Sequence, residues 1–170
     1  MVSERAFTDS DEFKRGREGE QSVEQWLRAR GDYVIRSYDY SGEDGDKAPR
    51  MHGLAERYAL PDLDVCREGE DGEPSRRWWV EVKAKHHAIE YRKLGRLEHG
   101  ISLPLWMDYL QVQAISGCEV WIVIVEEETD EWLAQSLKVL GEVAREYDGD
   151  KMGPGGMVFF PRDAFIILTR

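Results

Sequence analysis

Apolar residues recur in two rhythms along this chain, and the change from one to the other divides it into helices and strands. Between Phe13 and Arg30, Val23, Trp26 and Leu27 fall at i, i+3 and i+4, and Gly31 stands where a helix cap belongs. Tyr33 to Tyr38 then reads as a strand, and Asp39 to Tyr58 as a Gly/Asp-rich loop. Two alternating segments follow, Asp62 to Cys66 and Arg77 to Lys83. The turn-rich stretch between them makes the pair a β-hairpin. His86 to Gly100 is a polar, basic connection without a clear rhythm. Leu103 to Ser116 is helical, with Pro104 in its first turn and Gly117 after its end. Glu119 to Val125 is a nearly continuous β-branched run, which predicts a central strand covered on both faces. Thr129 or Asp130 can cap a further helix running to about Tyr147, with Trp132, Leu133, Leu137, Leu140 and Val143 as its inner stripe. Met157 to Pro161 and Ala164 to Leu168 are short strands or edges. This order predicts an α/β sandwich around a small mixed sheet.

A length of 170 residues fits one domain, 1–170, with a core over about 13–126 and a C-terminal helix and short strands over 129–170. No apolar run reaches membrane-spanning length, and the N-terminus lacks the apolar core of a secretory signal. Cys66 and Cys118 have no CxxC neighbour, which favours reduced buried thiols over a zinc site. The expected location is cytoplasmic, with no membrane partner.

A net charge of −11 argues against a protein that coats nucleic acid by bulk electrostatics. It leaves room for an enzyme on DNA whose metal ions supply positive charge locally. The basic residues are also unevenly spread: Lys83, Lys85, Arg92, Lys93 and Arg96 follow the hairpin, with His86, His87 and His99 among them. The ordinary reading of such a cluster is a solvated face; the functional one is a phosphate-binding surface.

The hairpin carries the candidate chemistry. In Trp79-Val80-Glu81-Val82-Lys83 a period of two puts Glu81 and Lys83 on one face, and Asp62 and Asp64 share a face on the partner strand. Two acidic groups and a lysine together suit a metal-dependent phosphodiester hydrolase. Mg²⁺ prefers oxygen donors, so Asp and Glu suit it better than Cys and His. Of the tryptophans, Trp26, Trp106, Trp121 and Trp132 sit at core positions. Only one of the adjacent Trp78 and Trp79 can face inward, leaving the other to stack on a base or cover a sheet edge.

Three stretches together resemble the PD-(D/E)xK nuclease superfamily, and within it the Holliday-junction-resolvase type. They are Glu20 to Leu27 followed by Gly31 and Val34-Ile35-Arg36, then Pro61-Asp62, then Glu81-Val82-Lys83. The resemblance covers about Glu20 to Val125. It implies a restriction-endonuclease-like αβββαβ core, with a mixed central sheet flanked by helices. It also implies a Mg²⁺-dependent (or Mn²⁺-dependent) deoxyribonuclease hydrolysing phosphodiester bonds. On that resemblance Glu20, Asp62, Glu81 and Lys83 are catalytic. Asp62, Glu81 and the Val82 backbone carbonyl hold the metal, with Asp64 and Glu20 as further candidate ligands, and Lys83 sits at the scissile phosphate. Asp62 and Asp64 remain alternatives, as do Glu18 and Glu24 to Glu20. Lys85, His86, His87, Arg92, Lys93 and Arg96 are candidate nucleic-acid contacts. Gln111 and Gln113, on the helix after the motif, are candidate accessory residues, though a surface glutamine is the commoner reading of each. The expected partners are a DNA substrate and a homodimer or larger DNA-processing complex. The alternative functions are a non-cleaving nucleic-acid- or protein-binding module on the same fold, or a phosphatase of small substrates. The residues leave open whether the substrate is duplex, single-stranded, branched or RNA, and whether cutting is endo- or exonucleolytic.

Overall fold

A computed structural model describes residues 11–37, 49–70, 73, 75–147 and 155–169. Helix α1 (Asp11–Ala29) opens the described chain, and β1 (Tyr33–Arg36) turns back beside it. Strand β4 (Leu63–Arg67) pairs antiparallel with β1 and with β5 (Arg76–Lys85), with Leu63 opposite Val80 and Asp64 opposite Trp79. The predicted hairpin is therefore present, and β1, β4 and β5 form a three-stranded meander. Helix α2 (Leu103–Ser116) has the predicted bounds. It ends at Gly117, whose φ of 68° lets its N–H bond the Gln113 carbonyl and close the last turn. Strand β8 (Glu119–Glu126) then returns parallel to β5. A mixed α/β core of helix, meander, helix and returning strand is the expected architecture.

Two hairpins are inserted into this core, one in a stretch read from sequence as a loop and one in a connection without a clear rhythm. The first is β2 (Arg50–His52) with β3 (Arg57–Ala59), between β1 and β4; the rest of the predicted loop, 38–48, lies outside the described residues. The second is β6 (Ile89–Tyr91) with β7 (Arg96–Ser102), between β5 and α2.

The C-terminal region departs from expectation. Residues 127–130 form a tight turn with Asp130 at φ 54°, and β9 (Glu131–Ser136) pairs antiparallel with β8. Only Leu137–Val143 is helical, forming α3 after a cap by the Ser136 hydroxyl. The predicted helix from 129 is thus a strand followed by two turns of helix. Trp132 and Ala134 pack on the α1 side of the sheet and Leu133 on the other, so a strand buried on both faces shows no alternation.

The central sheet has the order β1-β4-β5-β8-β9-β12, with β12 (Ile166–Ile167) at one edge. A second antiparallel sheet has the order β10-β11-β7-β6, from β10 (Arg145–Tyr147), β11 (Met157–Pro161) and the inserted hairpin. It joins α2 and α3 in covering one face of the central sheet, through Ile101, Trp106, Tyr109, Leu140, Val158 and Phe160. On the other face of this second sheet Gly100 makes room for Phe159, because a Cβ there would lie 2.7 Å from the Phe159 ring. The opposite face of the central sheet is covered by α1 through Val23 and Leu27. Trp79 is the inward member of the tryptophan pair; Trp78, Trp26 and Trp121 are half-buried, so the last two are less enclosed than expected. Both cysteines are free and half-buried. Among the described residues no helix is long and apolar enough to cross a membrane.

Candidate active site

Strand β4 stops at Leu63, opposite Val80, so β5 continues past it with no partner on that side. Asp62 occupies the gap. Its main-chain carbonyl accepts from the Ser37 N–H at 2.8 Å, and its Oδ2 accepts from the Val82 N–H at 2.8 Å. The side chain thus replaces a missing ladder bond and is aimed at the strand that carries Glu81 and Lys83. At Val82 the amide is donated to Asp62.

Glu81 is 1% exposed. Its Oε1 pairs with the Lys83 ammonium, while Oε2 is buried without a hydrogen-bond partner. Glu20 arrives from α1, which rests on β5 and β8 at Gly19; a Cβ there would lie 3.5 Å from Ala84 and 3.7 Å from Val125. Arg17 approaches Glu20 at 3.6 Å.

The charges of these groups act on one another. Burial first, then the carboxylates of Glu81 and Glu20, push the Asp62 carboxyl well above its ordinary 3.8, against the Lys83 charge and the Val82 hydrogen bond. Burial and the Glu81 charge likewise raise Glu20, against Arg17 and Lys83. For Lys83, burial disfavours the ammonium, but Glu81, Asp62 and Glu20 outweigh it and hold the proton on more tightly than usual. Three carboxylates therefore share one lysine, and one carboxylate oxygen stays orphaned.

That donor set fits a hard divalent cation. It is all oxygen, it is electrostatically under-neutralised, and it contains a buried acceptor with no donor. Among the described residues, no group of three or more Asp, Glu, His or Cys side chains is placed to hold a metal ion, so the carboxylates are electrostatic neighbours and not a formed ligand set.

The alternatives are separated by their partners. Asp64 is also buried, but both its oxygens are held by Arg77, at 2.9 and 2.5 Å. Glu24 is buried and taken up by Arg28 and Arg36, where it ties α1 to β1; Glu18 is exposed. Gln113 accepts from the Val120 N–H at 2.9 Å and so pins the start of β8, and Gln111 is exposed.

The residues of the basic cluster differ in their partners and exposure. Arg96 is held by Glu98 at 2.9 Å, His86 faces Glu127 at 3.3 Å, and His99 is buried with Nε2 3.4 Å from Glu126. Lys85 is half-buried, while His87, Arg92 and Lys93 are exposed, the last two in the β6–β7 turn. Exposed basic residues that the sequence reading missed are Arg50, His52 and Arg57 on the β2–β3 hairpin. Their signal was an alternation of three residues on each side of the turn 53–56, too short to stand out. A groove of about 760 Å³ lies elsewhere, between the end of α1 and the sheet, lined by Trp26, Trp78 and Trp121.

No protein-family model matches the sequence, and no curated protein matches it. The fold is shared with a solved structure. Hjc of Archaeoglobus fulgidus, a Holliday junction resolvase from an archaeal hyperthermophile, is similar at a TM-score of 0.51 and 13% identity, over 88% of this chain and 91% of that one. D212, a nuclease from a fusselovirus, gives a TM-score of 0.47 at 13% identity, over 89% and 82% of the two chains.

Proposed function

We propose that this chain is a metal-dependent nuclease that hydrolyses phosphodiester bonds of DNA at the Glu20, Asp62, Glu81 and Lys83 cluster. The observation that carries the reading is the convergence of three carboxylates on one lysine, with the Glu81 Oε2 left buried and unpartnered. Such a like-charge group costs stability, and a fold without catalytic or ligand chemistry has no use for it. The fold shared with a resolvase agrees with this reading.

Asp62 and Glu81 would hold Mg²⁺ or Mn²⁺, with Glu20 completing the set. When bound, the cation offsets the charge that grows on the phosphoryl oxygens in the transition state. The chain's own groups do the rest. The Val82 N–H fixes the Asp62 carboxylate on the strand that carries Glu81 and Lys83. Lys83 keeps its proton and is partly exposed, so its ammonium can turn from Glu81 to a nonbridging oxygen of the scissile phosphate. Glu20, with its raised pKa, can hold or release a proton nearer neutrality than an ordinary glutamate. Asp64, satisfied by Arg77, has a structural role.

The test uses plasmid, linear, single-stranded and four-way-junction DNA with Mg²⁺, Mn²⁺ or EDTA. Cleavage is expected with either metal and not with EDTA, and Lys83→Ala and Asp62→Ala should each reduce it by about 10²-fold or more. Cleavage that survives both substitutions removes the assignment. DNA binding without cleavage on any substrate leaves a binding module instead. The resolvase likeness makes branched DNA the first substrate to try, and symmetric cutting of two strands would require two copies.

A further inference from the structure

We propose that the β2–β3 hairpin is a nucleic-acid-binding arm, which lays Arg50, His52 and Arg57 on the phosphate backbone beside the scissile bond. This rests on the reading that the substrate is DNA.

The hairpin has two unlike faces. With Met51 opposite Tyr58 and His52 opposite Arg57, the period of two puts Met51 and Tyr58 on one side, where they pack against the core beneath α2. Arg50, His52 and Arg57 fall on the other side, and all three are exposed. None of them has an ion pair among the described residues. Arg28, Arg36, Arg67, Arg77, Arg96, Arg145 and Arg162 each engage a carboxylate. Other basic residues, such as Arg30, Arg76 and Arg92, also lack an ion pair among the described residues, but the hairpin sets three basic side chains on one face of a single strand pair. The hairpin's own carboxylate, Glu56, is occupied by the Tyr58 hydroxyl.

The arm is firmly attached. Its turn is closed by the Gly53 N–H on the Glu56 carbonyl at 2.7 Å. Its base is held by the Ala59 N–H on Asp108 at 2.9 Å and by the Leu60 N–H on the Pro49 carbonyl at 2.9 Å. Asp62 follows three residues after Ala59, so the cationic face is fixed relative to the carboxylates. At the tip, Leu54 is fully exposed and touches no core. Cations spaced along a strand with one apolar residue at the end match a ligand of repeated phosphates and flat apolar bases.

The test measures binding of labelled four-way-junction and linear duplex DNA to the full chain in EDTA, across a range of salt. Arg50→Ala/His52→Ala/Arg57→Ala is expected to weaken binding by about 10-fold or more at low salt. It should also flatten the slope of log affinity against log salt by about 2, near 0.9 for each lost phosphate contact. Arg50→Lys/Arg57→Lys should restore the slope, which a folding defect would not allow. Leu54→Ser should weaken binding several-fold at every salt with the slope unchanged; unchanged affinity removes Leu54 from the arm. If the triple variant keeps the wild-type affinity and slope, or the wild type binds no DNA, the arm is overturned. Cleavage assays separate the two readings. Hairpin-dependent binding without cleavage keeps the arm and removes the nuclease. Cleavage indifferent to the hairpin does the reverse.

Discussion

Asp62 is the residue at which stability and chemistry pull apart. Its carboxyl is raised by burial and by Glu81 and Glu20, so the folded state holds that proton more tightly than the unfolded chain does. Wild-type stability in EDTA should therefore fall as the pH rises from about the ordinary 3.8 through the folded value, and Asp62→Asn should lack this fall. Asparagine can still accept from the Val82 N–H. The variant is expected to melt about 3 °C higher at neutral pH, for a relief of about 1 kcal/mol, while losing cleavage. Thermal melts of both proteins across pH check it; a variant melting lower at pH 7 would contradict the charge crowding. Asp64 provides the contrast. Asp64→Asn removes one partner of a buried bidentate pair, but Arg77 is half-exposed and can turn to water, so the expected cost is about 1–2 kcal/mol rather than the 3–5 of a fully buried pair. Cleavage should persist in that variant, and its loss in a folded protein would move the metal site to Asp64.

The inserted β6–β7 hairpin depends on a buried charge at the level of the element. Glu98 lies on β7, where burial tends to raise its carboxyl, but Arg145 of β10 and Arg96 outweigh it and hold the pKa below the ordinary 4.5. Glu98→Gln should destabilise the protein by about 2 kcal/mol at neutral pH, since both arginines retain some access to water. Here the sign is opposite to that of Asp62. The wild-type advantage exists above the unfolded pKa and shrinks as the pH falls through the folded value, so denaturant melts at pH 7 and pH 3 should differ in their gap. The elements differ in how readable they were. Helix α2 and strand β8 each carry a long unambiguous pattern and a clear stop. Strand β9 does not, because Trp132, Leu133, Leu137 and Leu140 satisfy helical spacing equally well when both sheet faces are covered. The two inserted hairpins have arms of three residues at their shortest, below the length at which alternation is distinct from chance.

Across the whole molecule, carboxylates exceed cations, and most arginines are held by carboxylates within the fold. A small part of that excess is buried at one place, where the carboxylates of Glu20, Asp62 and Glu81 act on one another around Lys83. Divalent cation should therefore stabilise the folded state: millimolar Mg²⁺ is expected to raise the melting temperature of the wild type and not of Glu81→Gln, because binding adds to stability only where a site exists. Equal shifts in both proteins would point to non-specific screening. Sequence by itself determined the helix–meander–helix–strand order and the hairpin that presents Glu81 and Lys83 together, since both depend on local period and on residue chemistry. Only the tertiary structure decided the partner of each carboxylate. Asp62 and Asp64 are two residues apart and both buried, and they differ because Arg77, reached across a strand pair, takes both oxygens of Asp64 while Asp62 accepts from the Val82 N–H. It also decided which cations are unpaired, for a side chain's charge is written in its sequence but its counter-ion is set by whatever the fold brings within reach.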